Sequence, residues 1–217
     1  IAYTPVDIGG GVTWSLNAKM DIAEFVSPVD AAGKEFYAKY IEQYGYYDLF
    51  LIDPTGYVFY SAARESDYQT NMVNGKFASS GLGKLIQKTL KGGKYGLADF
   101  APYAPSNNEP AAFIARPVIQ NGHTELVVAL QLSLGAINGI MQQREGMGET
   151  GESYLIGSDS LMRSDSFLDA KNHSVVASFA DPSKGNAAIF RCGRCIRTGK
   201  CKCADRCCCL RGAVFVD

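Results

Sequence analysis

Few side chains in this chain stand where reaction chemistry would need them. The two histidines, His123 and His173, have no catalytic company: His123 follows an Asn-Gly pair, and His173 lies in a polar segment. No Gly-x-Ser-x-Gly or His-Glu-x-x-His run occurs, so nucleophile-elbow and zincin chemistries lack their parts. The run Ser79-Ser80-Gly81-Leu82-Gly83-Lys84-Leu85 approaches a phosphate loop but fails it. The first glycine would fall at Ala78, and Leu85 replaces the hydroxyl that would hold magnesium. All seven thiols sit in the last 26 residues, as Cys192-x-x-Cys195, Cys201-x-Cys203 and Cys207-Cys208-Cys209. A zinc site takes four thiolates or imidazoles in tetrahedral reach. Cys192, Cys195, Cys201 and Cys203 satisfy the count, but their spacing matches no zinc knuckle or ribbon. Disulfide pairing leaves one cysteine over. A third reading is that the tail is foreign to the fold, because it turns abruptly to Arg, Cys and Gly, as a reading-frame shift produces.

Charge divides the chain at the same place. Residues 1–190 carry 14 Lys+Arg and 20 Asp+Glu, and residues 191–217 carry 7 and 2, so the overall −1 conceals an acidic body and a basic tail. The body has no basic stripe, which argues against nucleic acid as a partner. At 47% hydrophobic and 20% charged residues, the 217-residue chain can build a packed core and is not globally disordered. No apolar run approaches the roughly 18–20 residues that span a bilayer, and no basic n-region precedes an apolar stretch. The chain opens at Ile1 without a methionine, and we read it as a piece of something longer.

Periodicity supplies the elements. Ile1–Val6 and Val12–Ala18 alternate around Gly9-Gly10-Gly11 and predict a hairpin whose core Trp14 fills, with a helix starting across Met20–Phe25. Asp30 is the expected N-cap of a helix through Tyr44. Phe36, Tyr37, Tyr40, Ile41 and Tyr44 share one face of it, and Gly45 ends it. Tyr47–Ile52 and Tyr57–Ser61 form a hairpin across Asp53-Pro54-Thr55-Gly56. Residues 64–80 read as irregular. Leu82, Leu85, Ile86 and Leu90 predict a helix stopped by Gly92-Gly93, then Gly96–Phe100 a short strand and Pro102–Pro110 a loop. Ala111–Val118 and Glu125–Leu132 pair across Asn121-Gly122. Ser133 caps a helix that Gly146 and Gly148 end, and strands at 153–156 and 161–164 restart the hairpin pattern of 47–61. Hairpin, helix and meander make an α+β fold, an antiparallel sheet with flanking helices.

The strings YYDLFLIDPTGYVFYSA, LADFAPYAPSNNEPAAFIARPV, ELVVALQLSL and GMGETGESYLIGSDSLMRSDSFLD together resemble the extracytoplasmic double-Cache sensor regions of bacterial methyl-accepting chemotaxis receptors and sensor kinases. The resemblance covers about residues 30–185. It implies PAS-like Cache modules: a terminal hairpin at 1–25, a membrane-distal-type module at 26–135, the start of a membrane-proximal-type module at 136–187 that is incomplete, and a Cys/Arg-rich tail at 188–217. The hairpin comes before the distal module here, whereas the family places such a hairpin after the segment that reads MRSDSFLD. An array of modules accounts for that order. A rearranged chain whose ends pair, within one molecule or by a swap, also accounts for it.

The resemblance also implies a pocket. Asp99 and Tyr103 fall where the family turns polar groups toward the distal ligand, with Tyr68, Arg64, Phe113 and Arg116 as neighbours. Ordinary core tyrosines and solvated loop charges are the alternative. The amino-acid-binding members carry an Arg-x-Trp-Tyr run and a strand aspartate. Here the region reads DYQTNMVNGKF, and Gln131 stands at the aspartate's place. Gln131 can hydrogen-bond but supplies no counter-charge. The expected function is ligand sensing, not catalysis, in the extracytoplasmic, periplasmic part of an inner-membrane receptor. The expected partner is a small molecule, a carboxylate or an amine, with a homodimer contact as a further partner and no cofactor. The alternatives are a non-binding spacer or dimerisation module, and metal binding through the cysteine tail.

Overall fold

The computed structural model describes residues 2–18, 22–185 and 214–215. Its centre is a five-stranded antiparallel sheet in the order β4-β3-β7-β6-β5, built from β3 (Tyr46–Ile52), β4 (Val58–Ser61), β5 (Gly96–Tyr103), β6 (Glu109–Gln120) and β7 (His123–Leu132). This is the α+β, PAS-like layout that the sequence predicts.

Period-two alternation gives the sheet two apolar faces. Phe50 and Ile52 of β3, Phe113 and Ala115 of β6, and Val127 and Ala129 of β7 pack against α3 (Gly81–Gly92) and Met72 and Phe77 of the segment before it. The intervening Leu49, Leu51, Val128 and Leu130 face α1 (Ile22–Val26) and α2 (Phe36–Tyr44). A third cluster joins Phe100 of β5 and Ala112 of β6 to Ile156, Met162 and Val175. Those residues belong to the following segment, with α4 (Leu134–Met141), β8 (Leu155–Ile156) and α5 (Val175–Ala180). The sheet and the segment after it therefore share a core.

Local chemistry sets the ends of the elements. Ser80 Oγ accepts from Gly83 N at 3.0 Å and caps α3, and Gly93 ends it at φ 59. Asn121 and Gly122 form a two-residue turn with both φ positive, at 50 and 79, and set the β6–β7 register.

Several expectations are corrected. Asp30 caps a turn rather than a helix: its Oδ1 accepts from Ala32 N and Lys34 N, both at 2.9 Å, and α2 begins only at Phe36. The single tryptophan does not fill a core. β1 (Ala2–Asp7) and β2 (Thr13–Ala18) form a two-stranded sheet of their own, and Trp14 is 65% exposed. Pro102 and Pro110 are strand residues, paired with each other. Both are tolerated because β5 is an edge strand and Pro110 lies past the last β6–β7 pair, Phe113 with Gln131. The helix α4 stops at Met141, before the glycines at 146 and 148. The strand expected at 161–164 shrinks to one bridge, Ile156 with Met162, because Ser164 Oγ takes the Leu155 N–H that a ladder would use. Val214–Phe215, β9, pairs in parallel with β8. The cysteine tail from Cys192 to Cys209, including the zinc candidates, lies outside the described residues.

Candidate functional site

On the face of the sheet toward α3, apolar alternation runs out at one end. Along β3 the inward positions read Ile52, Phe50, Asp48, and along β7 they read Val127, Ala129, Gln131. Asp48 and Gln131 are cross-strand partners, and Gln131 is also opposite Phe113. Two polar side chains thus meet in the floor of the sheet, where Asp48 is fully buried and Gln131 is 4% exposed. The chain from 61 to 67 and the β5–β6 loop close over them.

Asp48 is held from three sides. Its Oδ2 accepts from Ser61 Oγ at 2.8 Å, and its Oδ1 accepts from Ala63 N at 2.9 Å and Leu49 N at 2.6 Å. Burial still outweighs these bonds, and with Asp67 nearby the carboxyl is pushed up to about 6. Asp67, also fully buried, accepts from Tyr103 OH at 2.5 Å through Oδ2, while its Oδ1 has no partner. Burial raises its pKa as well. Burial and the neighbouring Asp67 raise the Tyr103 hydroxyl, which remains protonated and a donor.

A third carboxylate stands beside them. Glu65 accepts from Tyr47 OH at 2.8 Å and from Ser106 Oγ at 2.7 Å. The bond to Glu65 is the first cause that pushes the Tyr47 hydroxyl up to about 12. Gln131 Nε2 donates to Ser106 Oγ at 3.2 Å, and Gln131 Oε1 is buried without a partner. No ion pair reaches Asp48, Glu65 or Asp67 among the described residues. The buried Asp48 and Asp67, the half-buried Glu65 and two unpartnered acceptors therefore lie together, and the hydroxyls of Ser61, Tyr103, Tyr47 and Ser106 give their hydrogens to the carboxylates. Such a group of atoms accepts hydrogen bonds and attracts positive charge.

The candidate residues read from the sequence fall into two sets. Tyr103, Phe113 and Gln131 come together here, with Tyr103 and Phe113 edge-to-face at 4.8 Å, and Tyr68 follows Asp67 half-buried at the rim. The other three are placed elsewhere. Asp99 leaves the α3 face and receives Arg163 in a fork, Nε to Oδ1 and Nη2 to Oδ2, both at 2.7 Å. Arg163 also reaches Asp159 at 2.9 Å and stacks over Phe179. Arg64 pairs with Glu35, which also accepts from Tyr60 OH. Arg116 lies on the opposite face, in an open groove of about 550 Å³ with Tyr95, Ile114, Val118 and Val128.

Asp48, Glu65 and Asp67 were missed in the sequence. Only Asp48 left a signal there, an acidic residue two and four positions before the inward Phe50 and Ile52. Among the described residues, no three His, Cys, Asp or Glu side chains are placed to hold a metal ion. No helix among them is long and apolar enough to cross a membrane.

No protein-family model and no curated protein matches this sequence. Among solved structures, similarity is found to the sensory domain of the Campylobacter jejuni chemoreceptor Tlp3, at 10% identity and a TM-score of 0.47, covering 71% of this chain and 56% of that one. A second is the ligand-binding domain of the Pseudomonas fluorescens chemoreceptor CtaA in complex with L-serine, at 17% identity and a TM-score of 0.42, covering 77% and 67%. A third is the sensor domain of the V. cholerae histidine kinase DctB, at 17% identity and a TM-score of 0.39, covering 58% and 44%. Each is a sensory or ligand-binding domain, the kind that the sequence strings resemble. This chain spans between 44% and 67% of their lengths.

Proposed function

We propose that residues 26–135 are the ligand-binding module of an extracytoplasmic sensing region in a bacterial chemotaxis or signal-transduction receptor. Its site is the α3 face of the sheet around Asp48, Asp67, Tyr103 and Gln131. In this reading residues 136–187 begin a second module and residues 1–25 are the terminal hairpin of a Cache module. The role is binding, not catalysis. One observation carries it: Asp67 Oδ1 and Gln131 Oε1 are buried acceptors with no partner, in a region otherwise fully hydrogen-bonded. Orphaned buried polar atoms lose stability on the order of 1–3 kcal/mol each; of the three among the described residues, Thr89 Oγ1 stands alone in the last turn of α3, while the two acceptors gathered here point to a group that supplies the missing donors. A spacer with no ligand would gain by replacing them with apolar side chains.

Thermal melting of the full chain against amines, amino acids, small carboxylates and nucleobases tests the proposal. A ligand at 100 times its Kd adds about 2.7 kcal/mol of stability and raises the melting temperature visibly. A flat panel from a protein that melts cooperatively would sink the ligand-binding reading in favour of the spacer.

A further inference from the structure

The class of ligand can be read from the balance of donors and acceptors, on the premise that the buried region of residues 26–135 is a binding site. Four hydroxyls there already give their hydrogens to carboxylates: Ser61 to Asp48, Tyr103 to Asp67, and Tyr47 and Ser106 to Glu65. What remains are acceptors, Asp67 Oδ1 and Gln131 Oε1. An incoming carboxylate would find no free hydroxyl donor and three acidic side chains, Asp48, Glu65 and Asp67. Among the described residues no arginine or lysine pairs with these carboxyl groups: Arg64 is taken by Glu35, Arg163 by Asp99 and Asp159, and Arg116 lies across the sheet. A zwitterionic amino acid would satisfy the acceptors with its ammonium and leave its carboxylate unpaired.

The carboxyl group that Gln131 lacks stands directly across the ladder at Asp48, with the carboxyl groups of Asp67 and Glu65 beside it. A bare metal ion is not favoured, because among the described residues no three His, Cys, Asp or Glu side chains are placed to hold one. The charge wanted is one spread over N–H donors.

We propose that this site binds a small organic cation, an amine or diamine without a carboxylate, held by Asp48, Glu65 and Asp67, with Gln131 Oε1 accepting one of its hydrogens.

Calorimetric titration of the full chain at pH 7.5 distinguishes the classes, with ethanolamine and 1,4-diaminobutane as probes and L-alanine and succinate as comparators. The expected result is heat from an amine and none from succinate. Asp67→Asn, which keeps an acceptor for Tyr103, should weaken amine binding on the order of tenfold to a hundredfold. Exposed Glu125→Gln should leave it unchanged. If Asp67→Asn fails to melt cooperatively, Glu65→Gln at the half-buried rim gives the same readout. Binding of succinate or L-alanine with no response to amines would overturn this inference and leave the sensing reading intact. Amine binding unmoved by both variants would likewise place the cation elsewhere and overturn it. Silence from all four compounds would count against the inference and the sensing reading together.

Discussion

Asp48 and Asp67 are a liability to the empty fold at neutral pH. Both carboxyls are raised by burial, Asp48 to about 6, in the company of Glu65, Tyr47 and Tyr103. Between pH 4 and 6 the native state holds a proton that the unfolded chain has released, so stability falls as pH rises through that window. For Asp48 alone the loss is up to about 3 kcal/mol. The melting temperature of the ligand-free protein should therefore be higher at pH 4.5 than at pH 7.5. Asp48→Asn should flatten that slope and stabilise the protein at pH 7.5 while abolishing the proposed binding. A variant that melts with the wild-type pH profile would show that Asp48 titrates normally. Arg163 is the opposite case: its side chain is 8% exposed, while its partners Asp99 and Asp159 are 58% and 45% exposed. Arg163→Ala leaves those acids to water, so the expected loss is that of the charge-assisted bonds and the packing on Phe179, about 1.5–3 kcal/mol. Lysine cannot restore the fork. Amide exchange should be faster over 155–178 in both variants, with β3 and β7 unchanged.

At the scale of elements, the site depends on one register. Gln131 faces Asp48 because β7 runs antiparallel to β3, and β7 is in turn aligned on β6 by the two residues Asn121 and Gly122. A slip of one residue along β7 would turn Gln131 to the other face and bring Leu130 or Leu132 in. Gly122→Ala forces a side chain into φ +79 and should cost about 1 kcal/mol or more, read as a lower denaturation midpoint. The helix α3, which roofs the same face, is entered through a single side-chain cap. Ser80→Ala should lower stability by about 1 kcal/mol without altering ligand selectivity.

Over the whole molecule, the five-stranded sheet and the segment after it share the cluster of Phe100, Ala112, Ile156, Met162 and Val175, and the Asp99–Arg163 fork lies beside it. The hairpin at 2–18 is different. Val6, Trp14 and Leu16 lie on one of its faces and are exposed, and an isolated hairpin is marginal in water. Deleting residues 1–20 should leave the melting of the rest essentially unchanged, and iodide should quench the single tryptophan of the full chain freely. Protection of Trp14 would mean that the hairpin has docked on a second copy or on the chain itself.

The sequence alone determined the five main strands, α3, the Asn-Gly turn and the α+β class. Those follow from side-chain period and turn chemistry, which act within a few residues. Tertiary structure alone decided the site. Asp67 and Glu65 come from a segment with no period, Asp48 matters because of its partner across β7, and Asp99 is claimed by an arginine 64 residues away. No local pattern records which side chain a carboxylate meets once the chain has folded, because that meeting depends on strand register and sheet order rather than on neighbours in sequence.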